Sequence, residues 1–234
     1  MNRKREDVPD VREGGSSGSP HQRPGVNGHW LIIAGAAGGV AIVVATAVGV
    51  GIAQSGSDVG IQELYALATA GPDTAVVAIV NGQPITRREI DIDAAMLQAA
   101  AALGLSGQSG TSISKADLLN NTIDDVLLAQ AATKAGIEVT EAEVSQMINA
   151  GIVAPLSSPS TPANIRKLSL AALAANGVSL ANVETDPGTR AAFRQFELDN
   201  RYVGQSKEPR AELVAAAKAT ATIQTFPDVL NGGR

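Results

Sequence analysis

The sequence predicts a mainly α-helical chain: a single transmembrane helix, then a helical domain with a short two-stranded β element built from the domain's two ends. Three observations predict it. An uncharged run of 23 residues, Leu31 to Ala53, interrupts a polar N-terminal region. Helix-start signals recur through the rest of the chain. Aromatic residues make up 3% of the 234, against 44% hydrophobic residues in all, so any core is assembled from Ala, Val, Leu and Ile. Such a core suits thin helical packing better than a β-sandwich.

Residues 1–29 are charged, rich in Gly, Ser and Pro, and lack an apolar period, which reads as a disordered tail. Residues 30–53 follow as the transmembrane segment. As a helix, the 23-residue run rises about 34 Å, enough for the ~30 Å hydrocarbon core. Trp30 stands at its start as an interfacial anchor. A cleaved signal peptide is the rival reading, with Gly51-Ile52-Ala53 as a small-residue cleavage site. The run is longer than a secretory apolar region, and the tail before it is long. Arg3, Lys4, Arg5, Arg12 and Arg23 precede the run, and no Lys or Arg follows it until Arg87. The basic residues therefore place the N-terminus in the cytoplasm and residues 54–234 outside a bacterial cytoplasmic membrane. Gly35/Gly39, Ala45/Gly49 and Ala47/Gly51 have the spacing of close helix pairs and make a homodimer through the span conceivable. Twelve of the 23 residues are Gly or Ala, so that spacing also arises by chance.

Residues 54–74 read as a connector in which "IQELYALATA" forms a short helix, and the folded domain, 75–234, begins near Ala75. Val76–Val80 is a short apolar strand, and Asn81-Gly82 is a strong two-residue turn signal. Thr86 caps a helix from Arg87 to about Leu103, with Glu89 at capping-box spacing. Ser114 caps the next, in which Leu119, Ile123, Val126, Leu127 and Ala131 share a face, and Gly136 ends it. Thr140 and Glu143 open a third helix through Ile148. "APLSSPSTP" reads as a loop. Pro162 starts a helix that Gly177 ends, and Asp186-Pro187 starts another with Phe193, Phe196 and Val203 on one stripe. A helix follows from about Pro209. Thr220–Phe226 alternates and is β-branched, so it reads as a closing strand that pairs with Val76–Val80.

Chemistry is sparse. With no Cys there are no disulfides, thiolate metal sites or Cys nucleophiles. The net charge of −5 argues against nucleic acid as a partner. The carboxylate pairs Asp91/Asp93, Asp124/Asp125 and Glu141/Glu143 sit one or two apart, so on helices they do not share a face and read as surface charges or caps. The reading is of a protein that is not an enzyme, with no catalytic residue, cofactor or metal. Met96, Leu97 and Met147 are candidates for an adaptable contact surface, with core packing as the alternative.

Val80-Asn81-Gly82, Ile85-Thr86, Ile123-Asp124, Leu127-Leu128, Gln130-Ala131, Gly136-Ile137, Val139-Thr140 and Glu143-Val144 fall in a characteristic order. In that order and spacing the chain resembles the N-terminal chaperone domain of the SurA/PrsA group of extracytoplasmic folding factors. The resemblance covers about 75–150 and continues loosely to the C-terminus. It implies a membrane-anchored holdase for unfolded or partly folded exported polypeptides. Relatives usually carry a parvulin-type prolyl isomerase domain with active-site histidines. The 234 residues here hold no segment for one, and the only histidines, His21 and His29, precede the apolar run, so isomerase activity is not expected. A structural or regulatory subunit of one membrane complex, using the same domain for protein binding, is the alternative.

Overall fold

The computed structural model describes residues 31–33, 42–44, 57–71, 73–103 and 113–232. Two short strands, β1 (Leu31–Ile33) and β2 (Ile42–Val44), pair antiparallel, with Leu31 opposite Val44 and Ile33 opposite Ile42. Ile32, Ile33, Ile42, Val43 and Val44 are β-branched, which favours extended backbone. The transmembrane helix expected over Leu31–Ala53 therefore meets strand at these positions and otherwise lies outside the described residues. So do the tail, Trp30 and the small-residue pairs of the run. Among the described residues no helix is long and apolar enough to cross a membrane.

The helical region begins earlier than Ala75. Helix α1 (Ser57–Thr69) occupies the expected connector, and its Ile61 and Leu64 are buried against α2 (Arg87–Ala102) and α6 (Ala163–Ala175). Ile92, Met96, Ala99, Leu103, Leu168 and Ala172 complete this first core. Small residues let α1 and α2 approach closely: a Cβ built on Gly60 would lie 2.6 Å from the Ala99 nitrogen and 2.8 Å from the Ala95 carbonyl oxygen.

Strand β3 (Val76–Val80) turns at Asn81-Gly82 into β4 (Gln83–Thr86). Asn81 has φ 50° and Gly82 φ 87°, the two left-handed residues that a type I′ hairpin needs. The other edge of β3 receives β5 (Ile223–Thr225) antiparallel, with Ala78 opposite Thr225 and Val80 opposite Ile223. The β element thus has three strands in the order β4-β3-β5 rather than two, because β4 also joins the ladder. The expected final strand is shorter than Thr220–Phe226, since Thr220 ends α8 (Arg210–Thr220). Val77, Ala78, Val80 and Ile85 pack with Ile90 of α2 and with Leu119, Ile123, Val126 and Leu127 of α3 (Lys115–Lys134). Leu230, from the terminal turn α9 (Pro227–Leu230), closes this second core.

The caps are where the sequence puts them. Thr86 and Glu89 form a complete capping box on α2, and Thr140 and Glu143 another on α4 (Glu141–Ile148). Ser114 caps α3, and Asp186 caps α7 (Pro187–Gln205). Helices α3 and α6 end alike, with the nitrogen of the residue after Gly136 or Gly177 bonded back to the carbonyl of Ala132 or Leu173. The expected loop from Ala154 is partly helical instead. A π turn, Asn149–Val153, carries α4 into α5 (Ala154–Ser157). The wider turn falls just before Pro155, where an α-helical ladder would lack a donor. Val144, Ile148, Ile152 and Leu156 recur every fourth residue and stay buried with Leu173 and Phe193 in a third core, which offsets the poor local propensity.

Candidate functional site

Met96, Leu97 and Met147 are not brought together. Met96 is fully buried in the first core, Leu97 is half-buried against the second, and Met147 is half-buried against the third. A concave surface lies elsewhere, where α3, α7 and α8 meet the turn of β3. This groove has a volume of about 270 Å³. Leu127, Ala131, Tyr202, Leu213 and Ala216 line it, with Gln130 and Lys134 among its polar members. At less than the roughly 300–1,000 Å³ of a small-molecule site, it suits a few apolar side chains better than a cofactor.

Hydrogen bonds and ion pairs hold the groove's walls. The side-chain nitrogen of Asn81 donates to Gln130 Oε1 at 2.7 Å, and the Thr222 N–H donates to Asn81 Oδ1 at 2.8 Å. Gln130 in turn donates to Gln83 Oε1 at 3.2 Å. One turn residue thereby ties α3, the hairpin and the approach to β5 together. Arg210 of α8 donates to Asp125 of α3 at 2.5 Å and to Asp199 of α7 at 2.8 Å. Lys218 pairs with Asp124 at 2.5 Å. One guanidinium therefore serves two carboxylates. Burial pushes Asp125 up to about 7 despite that partner, and burial also raises Asp199. Asp93 of α2 is nearly fully buried, and burial, then Glu89 and Asp125, raise its carboxyl well above the usual range. Its expected place as a surface charge is overturned, because the face of α2 that carries it turns toward α3.

The remaining carboxylates are braced by arginines. Arg190 and Arg194 of α7 both hold Glu141, and Arg201 holds Glu143 at 2.7 Å while also meeting Glu197 at 2.8 Å. The Arg201 hydrogen bond, followed by those from Thr140, lowers Glu143 to about 2. Asp91 pairs with Lys115. Among the described residues no three His, Cys, Asp or Glu side chains converge as metal ligands.

A second concavity of about 590 Å³ lies between α1 and α6. Tyr65, Pro159, Pro162, Lys167 and Leu170 line it, together with Arg166 and Ala163. Tyr65 and Leu170 are large apolar residues left 41% and 38% exposed. Sequence reasoning did not single out either concavity. Tyr202 on α7 was the available signal for the first, but which groove it faces depends on α8.

The family of SurA-like N-terminal domains has a model that matches residues 28–153, more than half of the chain, and the chain belongs to that family. The matched span includes the uncharged run and ends with the π turn, so α6 to α9 and β5 lie beyond it. No curated protein and no solved structure matches the chain. The domain is of a chaperone type rather than a catalytic one, with a chaperone-type or protein-binding role.

Proposed function

We propose that this protein is a membrane-anchored extracytoplasmic holdase that binds unfolded or partly folded exported polypeptides and has no isomerase activity of its own. Membership of the SurA-like family carries the reading. The groove at α3, α7 and α8 supports it as a client contact: an apolar floor with a polar rim takes side chains of an extended chain without requiring one sequence. Leu31–Ala53 serves as the bilayer anchor, supported by its 23 uncharged residues and by the basic residues on one side of it.

The test uses the full chain in detergent micelles and a chemically unfolded, aggregation-prone polypeptide followed by light scattering. The protein suppresses aggregation, and Ala216→Glu, which puts a charge at an exposed position of the groove, weakens the suppression severalfold. Aggregation at the rate seen without the protein overturns the holdase. The groove's small volume, about 270 Å³, favours a second reading, a subunit that docks one partner in a membrane complex. Stoichiometric copurification of one partner with no effect on unfolded chains supports that reading.

A further inference from the structure

We propose that the outer edge of β5 takes an extended, uncharged segment of an unfolded polypeptide as a fourth strand of the sheet β4-β3-β5. This deepens the holdase reading above and rests on it. Strand β5 pairs with β3 antiparallel, with Ala78 opposite Thr225 and Val80 opposite Ile223. On its flanks the Asn81 N–H donates to the Thr222 carbonyl and the Phe226 N–H to the Val77 carbonyl. Opposed residues in an antiparallel ladder alternate between bonded and non-bonded pairs. Thr222, Gln224 and Phe226 therefore turn their backbone groups toward β3, and Ile223 and Thr225 turn theirs away from it. Among the described residues no hydrogen bond reaches the N–H or the carbonyl of Ile223 or Thr225. Gln224 and Thr225 are exposed, so this edge is open to solvent.

The two edges of the sheet differ. On β4, Pro84 has no N–H to offer, and the N–H of Thr86 is taken by the Glu89 carboxylate at 2.5 Å. A proline and an occupied donor close a sheet edge to other chains. Strand β5 has neither device, and from Ala219 to Pro227 the chain carries no Lys, Arg, Asp or Glu. The nearest charges along the chain are Lys218, which is paired with Asp124, and Asp228. Phe226, the residue after the strand, is 37% exposed. Such an edge selects its ligand by chemistry. Its alternating N–H and carbonyl groups are met by another extended backbone, whose side chains are left almost unspecified. An unfolded chain supplies that backbone, and a neutral edge ending in an exposed phenylalanine suits its apolar stretches. Thr220 lines the groove and lies three residues before Ile223, so edge and groove are at most about 11 Å apart. A second copy of this protein fits less well. Its β5 is three residues long and lies between α8, which ends at Thr220, and α9, which starts at Pro227. Antiparallel pairing of two such edges sets α8 of each copy against α9 of the other, helices about 10 Å across on strands about 5 Å apart. An unfolded segment brings no helix with it.

The test uses the full chain in detergent micelles and a short fluorescent peptide of alternating Val and Thr, with a counterpart N-methylated on every central residue. Fluorescence anisotropy reads binding, and the amide I band of a carbon-13 carbonyl label in the peptide reads strand pairing. The natural protein binds the plain peptide, moves its labelled band to the position of a paired strand, and leaves the methylated peptide free. Thr225→Pro removes an N–H that faces away from β3, so it weakens binding severalfold at an unchanged melting temperature. Thr225→Val keeps the donor and binds as the natural protein does. Equal binding of the two peptides, or a labelled band that does not move, overturns the inference. So does a Thr225→Pro chain that binds the plain peptide undiminished. A dimer of the natural chain that Thr225→Pro dissolves, with no peptide bound, overturns it in favour of a second copy. Should Thr225→Pro melt lower, the two peptides on the natural protein decide. Aggregation assays separate the two readings. A chain that pairs with the peptide yet leaves unfolded polypeptide to aggregate sinks the holdase and keeps the edge. A Thr225→Pro chain that suppresses aggregation as well as the natural one sinks this inference alone.

Discussion

At Gly60 the backbone of α1 crosses α2 with no space for a side chain, since an added Cβ would come within 2.8 Å of two backbone atoms and of the Ala99 methyl. Two effects oppose each other there. Alanine inside a helix is favoured over glycine by about 1 kcal/mol. Overpacking against backbone that cannot rotate away costs about 1–3 kcal/mol or more. The clash wins, so Gly60→Ala lowers the urea unfolding midpoint; a raised midpoint would show that α1 slides off α2 freely. Asp125 is the residue where pH acts. Its folded pKa, about 7, is above the ordinary 3.8, so the folded state prefers the protonated carboxyl. Stability from this group is therefore greatest below about pH 4 and falls as pH rises from there to 7, at up to about 1.4 kcal/mol per unit. Asp93 and Asp199 are raised as well and add in the same sense. Asp125→Asn removes one contribution while Arg210 keeps Asp199. The variant melts at a higher temperature than the natural protein at pH 8, and its melting temperature declines less between pH 5 and pH 8. An unchanged slope would assign the pH dependence to other groups.

The elements depend on contacts that are distant in sequence. Helix α3 is the strut of the second core, and Leu127 sits in it 3% exposed, between the sheet and the groove. Leu127→Ala leaves a cavity there and costs about 2–5 kcal/mol by chemical denaturation. A loss under about 0.5 kcal/mol would mean that the site collapses to fill the space. Strand β5 is a sharper case. It is only Ile223–Thr225, yet Val80 and Ile223 meet across the ladder, and the chain is anchored on both sides. Asn81 N–H donates to the Thr222 carbonyl, and Phe226 N–H donates to the Val77 carbonyl, each at 2.8 Å. Closing so long a loop adds little entropy cost because that cost grows only with the logarithm of length. Deleting residues 219–234 removes β5, α9 and Leu230 together and exposes one edge of β3. The truncated protein melts at a lower temperature and binds more of a hydrophobic dye. An unchanged melt would show that the second core holds without its C-terminal cover.

At the scale of the whole molecule, the three larger cores are joined through shared helices. Helix α6 gives Leu168 and Ala172 to the first core and Leu173 to the third, and α2 serves the first and the second. A displacement of α1 is thus passed through α2 into the second core, whose Leu127 also lines the groove. The orientation proposed for the domain has a direct check. Protease added outside intact spheroplasts digests residues 54–234 and spares the N-terminal tail. Digestion of the tail alone would reverse the topology.

The local signals were legible in the sequence because their physics is local. Asn81-Gly82 specifies a turn by its own backbone preference, Thr86 with Glu89 and Thr140 with Glu143 specify helix starts by satisfying their own N–H groups, and the order of these signals also carried the family resemblance. The long-range pairing of β3 with the C-terminal strand was legible too, since only two strand candidates needed partners. What the sequence left open was decided by packing. Burial of Ile61 and Leu64 makes α1 part of the helical body, and Ile152 with Leu156 draws an expected loop into helix. Asp93 looks like any surface carboxylate until α2 is docked on α3. Met96, Leu97 and Met147 look alike as candidate contacts, yet they end in three separate cores. The groove at Tyr202 and the face at Tyr65 belong to no single segment. Each is made by helices far apart in sequence, and which side chains converge there depends on how those helices cross, information that no local pattern carries.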